Sequence, residues 1–547
     1  MADRKPVPPL YVILPNVTLP AGGAAEVGNK AFNLMRMASA GLPVPPGFVL
    51  PTVWCGLPRD CADDCRVSSA VLAKGMAKVE AAAGMSFGSA RQPLLVSVRS
   101  GAAVSMPGMM ETVLDVGLNS ETVEGLIRLT GNPRLAWDSF RRLVQGFADV
   151  VAGLPVEPFD ELARNALVTA HADNERELDY RTLRDLTYRM LTCYQDLAHE
   201  SFPADPHVQL GRAVEAVFRS WDAPKAKSYR ALKGISDAAG TAVTVQTMVY
   251  GNAGGKSGAG VGFTRNPASG ERELYFDFQF NSQGEDVVAG RQVLRDNERL
   301  RLTLPEIWTS LEASCHDLES LFGDAQDFEF TVQSGRLYFL QTRNAKRTPW
   351  AAVRIAVDMV EEGLTQPADA LARLAEIDLA HVTRTHFAPP LPPPLAIAEV
   401  AGIGVASGAI ALDSAAAQRM ARAGQKVILV RRETSTADID GLAVAEGVVT
   451  ATGGRTSHAA VVARQLAKVC LVSCPLLSTD LNRRSLRIGE RTIAEGELIS
   501  IDGNDGAIYP GRLTVVTERP ERELAAIRSW RTAGEFEHPR RSVKAHG

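Results

Sequence analysis

The chain has 547 residues, 45% of them hydrophobic and 22% charged, a composition typical of folded soluble proteins. This length is too great for one hydrophobic core, so we expect about two to four domains. The net formal charge of −4 argues against nucleic acid and membrane surfaces as partners, and we expect neither.

Cysteine usage and hydropathy predict a reduced, cytoplasmic protein. The seven cysteines are an odd number and are thinly spread. The N-terminal segment lacks the apolar run of a signal peptide, and no apolar stretch reaches the length of a membrane span. Cys55, Cys61 and Cys65 lie close together, but without CxxC spacing or a nearby histidine. Incidental thiols are therefore favoured there over a zinc site.

In chain order, the patterns alternate between strand-rich and helical regions. Residues 1–110 mix strand-like runs with glycine-rich turns, and residues from about 120 to 220 are predicted to be helical. Strand patterns return over 241–345, and helical ones over 349–378. Within the first helical region, apolar residues recur at spacings of three and four, which predicts an amphipathic helix. These residues are Ala136, Phe140, Leu143, Phe147 and Val150.

The run HFAPPLPPPLA marks a change of organisation. It places five prolines among positions 389–394, which favours an extended, semi-rigid spacer and predicts a domain boundary. From about 396 to 512, short strands alternate with helical stretches. The last residues, roughly 30, predict a helix followed by a loose tail.

The segment TATGGRTSHAAVVARQLAKVCLVSC, residues 450–474, is the most informative one. After its Gly-Gly turn, Thr456 or Ser457 is a suitable N-cap, which places His458 in the first turn of a helix. Free backbone N–H groups and the positive end of the helix dipole favour an anion there. A neutral imidazole is also a competent nucleophile near pH 7. The residues alone favour a phosphoryl-carrying histidine and an ordinary helix-terminal histidine about equally.

A second segment, DFEFTVQSGRLYFLQTR, begins at Asp327 and is predicted to form two strands. Alternation puts Asp327 and Glu329 on one face, where carboxylates could hold Mg²⁺. With a three-residue loop, Gln341 and Arg343 share that face, and the arginine could clamp a phosphate. A two-residue loop moves both to the opposite face. An exposed sheet face carrying a surface ion pair explains the pattern nearly as well.

Three further segments give weaker signals for phosphate binding. In VSVRSGAAVSMPGMMET, a strand ends at Arg99 before a loop of small residues whose amides could cradle phosphates. Residues 251–262 are glycine-rich but match no phosphate-loop pattern, so a hairpin loop is the better prediction. Lys30, in EVGNKAFNLMRM, lies where a turn enters a helix and would be an ordinary surface lysine if taken alone.

In this order, the segments resemble the pyruvate phosphate dikinase family over roughly residues 25–530. TSHAAVVAR is very close to the phosphohistidine motif of that family. VSVRSGA, SMPGMMET, GTAVTVQTMVYGN, GVGFTRNP, NSQGEDVVAG, FRSWDAP and LYFLQTRNAKRT resemble its nucleotide-binding domain. Phosphoenolpyruvate synthase and glucan, water dikinase share the chemistry, but SMPGMMET and NSQGEDVVAG favour the pyruvate phosphate dikinase branch.

The resemblance implies a multidomain α/β and α+β fold. Residues 1–345 would form an ATP-grasp-type nucleotide-binding domain with a helical insertion at about 120–220. Residues 346–395 would form a helical and Pro-rich linker, and 396–515 a swivelling phosphohistidine domain, the PEP-utilising mobile domain. The remaining residues, 516–547, would be a helix and tail.

The resemblance also implies roles for individual residues, each named by its position here. Lys30 and Arg99 match residues that contact ATP phosphates, and Gln246 lies in a stretch beside the adenine pocket. Glu285 is a weaker match. His458 matches the histidine that takes the β-phosphoryl group of ATP. The residues that match ligands of metal and nucleotide phosphates are Asp327, Glu329, Gln341 and Arg343.

The chain departs from the family pattern at several positions. Asn29 and Ala31 replace glycines beside Lys30, and Ala103 stands where a second arginine is usual. The segment GIGVASGA lacks the prolines of the usual LPASPGA. Members of the family continue into a C-terminal (β/α)₈ barrel that binds pyruvate or phosphoenolpyruvate, and this sequence stops where that barrel would begin. The other substitutions, in the phosphohistidine segment, are Arg455, Gln465 and Ala467.

These expectations support several functional hypotheses. The first is an ATP- and Mg²⁺-dependent phosphotransferase that phosphorylates His458 and passes the group to pyruvate, leaving AMP. The second keeps this chemistry but uses another small-molecule acceptor or a separate acceptor-domain protein. The third is a regulator that binds ATP without turnover, and an ATP-grasp carbon–nitrogen ligase is a distant fourth. A homo-oligomer is compatible with each.

Overall fold

The computed structural model describes residues 8–58, 66–104, 106, 109–283, 296–434, 438–453, 458–466, 468–474 and 476–537. The chain divides into two compact units, considered separately below. The first comprises Met1–Gly258 and Phe328–Arg343, and the second comprises Ala259–Asp327 and Asn344–Gly547. Within the described ranges, none of the helices combines the length and apolarity needed to cross a membrane.

The first unit is built on a five-stranded sheet. Its strands up to residue 247 are β1 (Tyr11–Ile13), β2 (Gly47–Leu50), β3 (Ser86–Phe87), β4 (Pro93–Leu94), β5 (Val96–Gly101), β6 (Thr112–Val116) and β7 (Ala242–Thr247). The large sheet has the order β1-β2-β7-β5-β6 and is antiparallel throughout, while β3 and β4 form a small parallel pair. Almost every residue of β2, β5 and β7 is buried, so this sheet is the centre of the unit.

Helices cover the sheet and fill the long connection between β6 and β7. They are α1 (Gly23–Val27), α2 (Asn29–Ser39), α3 (Ser69–Ala83), α4 (Thr122–Thr130), α5 (Pro133–Val150), α6 (Glu157–Ala170), α7 (Tyr180–Ala198), α8 (Pro206–Ser220) and α9 (Pro224–Lys233). Short 3₁₀ helices lie at Thr52–Gly56, Glu175–Glu177 and Asp237–Ala239.

Helix α5 confirms the amphipathic helix predicted from its apolar spacing. The Asn132 side chain caps it by accepting a hydrogen bond from the Leu135 amide at 3.0 Å. Pro133 occupies the first helical position, where a missing N–H costs nothing. The predicted face is buried at Ala136, Phe140, Leu143 and Phe147, and Val150 packs against the same core.

Four strands form a separate sheet. They are β8 (Gly258–Phe263), β9 (Tyr275–Phe280), β10 (Gln326–Gln333) and β11 (Arg336–Asn344), in the order β11-β10-β8-β9. The β10–β11 loop therefore has two residues, Ser334 and Gly335, which decides between the two loop lengths considered above. Their φ values of +50° and +76° suit the type I′ turns that fit the twist of a hairpin.

The second unit contains a mixed eight-stranded sheet. Its strands after residue 380 are β12 (Arg384–Phe387), β13 (Ala396–Ile397), β14 (Glu399–Gly402), β15 (Val405–Ala411), β16 (Val427–Arg431), β17 (Gly447–Thr450), β18 (Val469–Val472), β19 (Leu477–Asp480), β20 (Ser485–Ile488), β21 (Arg491–Ala494), β22 (Leu498–Asp502), β23 (Ala507–Pro510) and β24 (Val515–Glu518). The large sheet has the order β13-β23-β22-β15-β16-β17-β18-β14, with β15 to β18 parallel. Smaller sheets are β19-β20-β21 and β12-β24.

The helices of the second unit connect the parallel strands and form a separate cluster. They are α10 (Asp296–Thr303), α11 (Pro305–Phe322), α12 (Pro349–Glu361), α13 (Pro367–Arg373), α14 (Ser414–Arg422), α15 (Ile439–Val444), α16 (His458–Gln465) and α17 (Glu521–Glu537). Leu524 and Ile527 of α17 pack with Trp350, Val353 and Val357 of α12. The mixed α/β, multidomain architecture agrees with the sequence; the finer domain assignments stay predictions.

A buried charge network stabilises the second unit. Arg265, which follows β8, is fully buried and binds both carboxylate oxygens of Glu319 at 2.8 and 2.9 Å. It also binds Glu362 at 2.8 and 3.1 Å. The arginine therefore ties α11 to the end of α12. A buried network of this kind tolerates the loss of one member poorly, because the remaining charges stay out of water.

We predict that Arg265→Met lowers the free energy of unfolding by about 3–5 kcal/mol, since it leaves Glu319 buried without its cation. The matched control is Arg354→Met, because Arg354 pairs with Glu271 and Asp358 at 3.3 and 3.7 Å in a partly exposed setting. That change should cost less than about 1 kcal/mol. Urea unfolding of both variants measures the difference, and equal losses would contradict this account of the network.

Candidate functional site

A direct contact between two backbone segments positions the start of α2. Gly28 precedes the helix with φ +79°, and a Cβ there would lie 2.3 Å from the carbonyl oxygen of Gly101 at the end of β5. The next amide, that of Asn29, donates to the carbonyl of Ala102 at 3.0 Å. Only glycine fits both the backbone conformation and the approach. The contact holds Lys30, at the start of α2, close to the end of the strand that carries Arg99.

The same helix is also bonded to the hairpin. One turn after Lys30, the Asn33 side-chain amide donates to the Thr342 carbonyl of β11 at 3.0 Å, and this bond is buried. The Phe339 amide donates to the Pro43 carbonyl at 2.8 Å, in the segment that follows α2. These bonds fix α2 between β5 and β11. Three sequence-distant basic side chains, Lys30, Arg99 and Arg343, are thereby brought together.

The charged surroundings of Lys30 include three other predicted site residues. The Lys30 side chain keeps an exposed surface, yet loss of hydration from the surrounding protein lowers its pKa. The positive charges of Arg99 and Arg343 lower the pKa further, and the Glu329 carboxylate acts in the opposite direction. Three of the other predicted site residues, Arg99, Glu329 and Arg343, therefore lie within electrostatic range of Lys30 in the first unit.

The hairpin places its polar residues differently from a regular two-residue hairpin. Gln341 is buried on the same face as Phe339, as the short turn requires. Farther along, the Ala345 amide donates to the Ala325 carbonyl at 2.9 Å, one residue out of the register set by the turn. The alternation of burial also breaks in β11, where Gln341 and the next residue are both buried. One extra residue in β11 reverses the faces on which the last side chains of the strand lie. Arg343 is thereby moved to the face that carries Glu329.

The two carboxylates suit a divalent cation. Asp327 and Glu329 are two residues apart on β10, so they point to the same face; Asp327 is buried and Glu329 half-buried. Carboxylate oxygens are the preferred ligands of Mg²⁺, which is usually held by one or two carboxylates together with phosphate oxygens. Within the described ranges, no three His, Cys, Asp or Glu side chains converge as an all-protein metal site. The donor set thus fits a metal that arrives with a phosphate ligand.

Gln246 lies on β7, next to the strand that carries Arg99, but its side chain is hydrogen-bonded to the backbone before β2. It lies on β7 opposite Gly47 and Ser97, and its side-chain amide donates to the Pro45 carbonyl at 3.0 Å. The Gln246 side chain is buried, and this hydrogen bond holds the segment before β2 against β7. Glu285, the weaker match, lies outside the described residues, as do Cys61 and Cys65 of the cysteine group.

A supporting contact was not predicted from the sequence. The loop after β5 carries Met106, which is buried against Trp221 and Ala226. Arg230 stacks on the Trp221 ring at 4.1 Å and donates to the Trp221 carbonyl at 2.5 Å. The FRSWDAP segment therefore supports the loop next to Arg99. A buried arginine has no signature in a linear pattern, which is why sequence inspection missed it.

The first unit also contains a cavity of about 270 Å³ at the turn end of the hairpin. Its walls include Leu95, Leu126, Met248, Tyr250 and Gln333. The lining mixes polar and apolar surface and includes none of the four charged residues Lys30, Arg99, Glu329 and Arg343.

His458 belongs to the second unit and begins helix α16. This helix connects the parallel strands β17 and β18, so His458 lies at the carboxyl edge of these strands, where α/β sheets bind ligands. Ala459, Ala460 and Ala463 are buried and pack the helix against the sheet. The predicted start of the helix is confirmed; the N-cap candidates Thr456 and Ser457, and the His458 side chain, lie outside what the structure describes.

Comparison with known proteins finds two matching protein families. The family described as "Pyruvate phosphate dikinase, AMP/ATP-binding domain" matches residues 67–300, and "PEP-utilising enzyme, mobile domain" matches residues 423–506. The chain belongs to the pyruvate phosphate dikinase family. Arg99 and Gln246 fall in the first matched range and His458 in the second.

Similar full-length relatives are known from plants and bacteria. The chain is 41% identical over 523 residues to pyruvate, phosphate dikinase 1, chloroplastic, from Arabidopsis thaliana, covering 94% of this chain and 54% of that protein. It is 39% identical to pyruvate, phosphate dikinase of Rhizobium meliloti (94% and 59%) and 40% identical to that of Clostridium symbiosum (89% and 56%). The chain thus spans little more than half the length of these relatives.

We predict that charge-removing substitutions shift the pKa of Lys30 in opposite directions. Arg99→Gln removes a positive neighbour and should raise it, whereas Glu329→Gln removes a negative neighbour and should lower it further. The pH dependence of acylation at Lys30, followed by peptide mass spectrometry, measures both shifts. If neither substitution moves the pKa, these side chains do not share one electrostatic environment.

Proposed function

We propose that the chain is the ATP-using part of a pyruvate phosphate dikinase-type phosphotransferase, in which ATP phosphorylates His458 and leaves AMP. The observation that supports this most directly is the gathering of Lys30, Arg99, Arg343 and Glu329. Loss of hydration lowers the pKa of Lys30, and the positive charges of Arg99 and Arg343 lower it further, so the three cations repel one another. A polyphosphate would relieve this repulsion, so the group is preorganised for a triphosphate chain.

In this proposal, the carboxylates and the cations have separate tasks. Asp327 and Glu329 would hold Mg²⁺, which supplies charge neutralisation on the phosphates. Arg343 and Arg99 would orient the phosphate oxygens, and Lys30 would neutralise their charge. Gln341 and Gln246 would act from the buried side, by keeping the hairpin and β7 in place beside the nucleotide. Positioning and electrostatics are the main contributions that a protein makes to phosphoryl transfer.

We assign residues 1–345 to an ATP-grasp-type domain and residues 396–515 to a swivelling phosphohistidine domain. Helices α4 to α9, between β6 and β7, support a helical insertion in the first. The proline run at 389–394 supports a semi-rigid spacer before the second. A spacer is needed because His458 must reach the ATP phosphates and then an acceptor.

At His458, a neutral ring nitrogen would attack the β-phosphorus in line. An N–P bond forms as the bond between the β-phosphorus and the AMP oxygen breaks, so AMP leaves and His458 carries the β- and γ-phosphates. Transfer of the γ-phosphoryl group to a phosphate ion or to water would then leave the β-phosphoryl group on His458, from which it passes to the acceptor. Pyruvate is our first candidate, because the similar relatives are named pyruvate, phosphate dikinases. Another small molecule or a separate acceptor-domain protein would use the same first step.

The free thiols Cys55, Cys193, Cys315, Cys470 and Cys474 support a reducing, cytoplasmic location.

We predict acid-labile labelling of the protein by ATP carrying ³²P at the β position, and complete loss of label in His458→Ala. His381→Ala is the matched control, because His381 is an exposed histidine of the same unit, paired with Asp378 at 2.7 Å. It should label like the wild type. ATP binding without any label in the wild type would instead support a non-catalytic regulator.

We predict that Arg343→Ala weakens ATP binding at least about tenfold, the effect of losing one charge-assisted phosphate contact. Arg336→Ala is the control, because Arg336 is an exposed arginine at the turn end of the same strand. Calorimetric titration with Mg²⁺ and a non-hydrolysable ATP analogue compares the two. Equal affinity in both variants would place the phosphates elsewhere.

A further inference from the structure

The segment that leads to His458 is fastened at the carboxyl edge of the parallel strands. After β17, the Ala451 amide donates to the Arg431 carbonyl at 3.1 Å. The Thr452 amide and hydroxyl both donate to the Arg432 carbonyl, at 2.9 and 3.0 Å. This side of the segment is therefore bonded to the end of β16. These bonds are made by the backbone and by one threonine.

The opposite side is fastened by the residues that follow β18. The Cys474 amide donates to the Thr450 carbonyl at 3.0 Å. The Ser473 hydroxyl donates to the Gly453 carbonyl at 2.5 Å. Ser473 is buried, whereas Gly453 is exposed. Of the side chains that the structure describes, this hydroxyl holds the segment at the point closest in sequence to His458.

Ser473 occupies this place at a conformational cost. Its φ is +52°, in the left-handed region that residues with a side chain seldom adopt. The backbone bends there immediately after β18 ends at Val472, and the bend carries the hydroxyl to Gly453. Strain of this kind persists when the surroundings determine it, and it clusters at functional sites. The left-handed φ and the hydrogen bond to Gly453 are two observations at the same residue.

We propose that Ser473 is a positioning residue for His458. Its hydroxyl fixes the Gly453 carbonyl, five residues before the histidine, and so restrains the chain where it leads toward α16. In-line transfer requires the nucleophile to be placed within a fraction of an ångström, and a misplacement of about 1 Å costs up to about a hundredfold in rate. The inference rests on the proposed phosphorylation of His458, but it concerns the second unit alone.

Variants at this position separate positioning from stability. Ser473→Gly removes the hydroxyl and relieves the strain, Ser473→Ala removes the hydroxyl and keeps the strain, and Ser473→Thr keeps a hydroxyl. Ser407→Ala is the matched control, because Ser407 shares a hydroxyl hydrogen bond of 2.7 Å with Ser500 in the same sheet. The full chain is used in each case.

The first readout is single-turnover labelling by β-³²P ATP across a range of ATP concentrations. We expect Ser473→Gly and Ser473→Ala to slow labelling at saturating ATP by about tenfold to a hundredfold, with the half-saturating ATP concentration unchanged. Ser473→Thr should be faster than either, and Ser407→Ala should match the wild type. The melting temperature of Ser473→Gly should not fall. Wild-type rates in Ser473→Gly would overturn the proposal, as would a slowing explained by a lower melting temperature.

The second readout does not depend on ATP chemistry. Amide hydrogen exchange in peptides spanning residues 447–466 should be faster in Ser473→Gly and Ser473→Ala, but not in Ser407→Ala. If the wild type takes up no label, the proposed function fails, and exchange still decides whether Ser473 fixes the segment. Unchanged exchange in both variants overturns the positioning role.

Discussion

The carbonyl of Gly101 occupies the space that a side chain at position 28 would need. This contact joins the end of β5 to the start of α2, and the bond from Asn29 to Ala102 continues it. Lys30 follows immediately, so its distance from Arg99 depends on how closely the two backbones approach. A second contact, the hydrogen bond from the Asn33 side chain to the Thr342 carbonyl, holds the same helix against the β10–β11 hairpin. The start of α2, and with it Lys30, is therefore positioned by backbone contact with β5 and by one side-chain bond to β11.

The charged group around Lys30 leaves that side chain in surroundings that disfavour its positive charge. Loss of hydration lowers the pKa of Lys30, the two arginines lower it further, and Glu329 acts in the opposite direction. In the second unit, hydrogen bonds on both sides hold residues 450–453, which precede α16 in the chain. In the proposed function, the first arrangement would bind the phosphates of the ATP donor, and the second would help to orient the nucleophile.

The sequence predicted those features that depend on local patterns. The amphipathic spacing gave α5 correctly, and the segment around His458 gave the helix that starts there. The face on which Arg343 lies was beyond such reasoning, because it depends on a two-residue turn and on an extra residue later in β11. The support of the Arg99 loop by Trp221 and Arg230 was also beyond it, since tertiary packing alone creates those contacts. Local periodicity fixes which segments become strands, and long-range packing fixes which side chains meet.

The central claim is that His458 itself carries the phosphoryl group. Peptide mapping under alkaline conditions after brief incubation with ATP and Mg²⁺ tests it most directly, because phosphohistidine survives alkali. The account predicts one phosphorylated peptide, containing His458, with fragment ions that place the group on the imidazole. A phosphopeptide from any other part of the chain, with the His458 peptide unmodified, would contradict it.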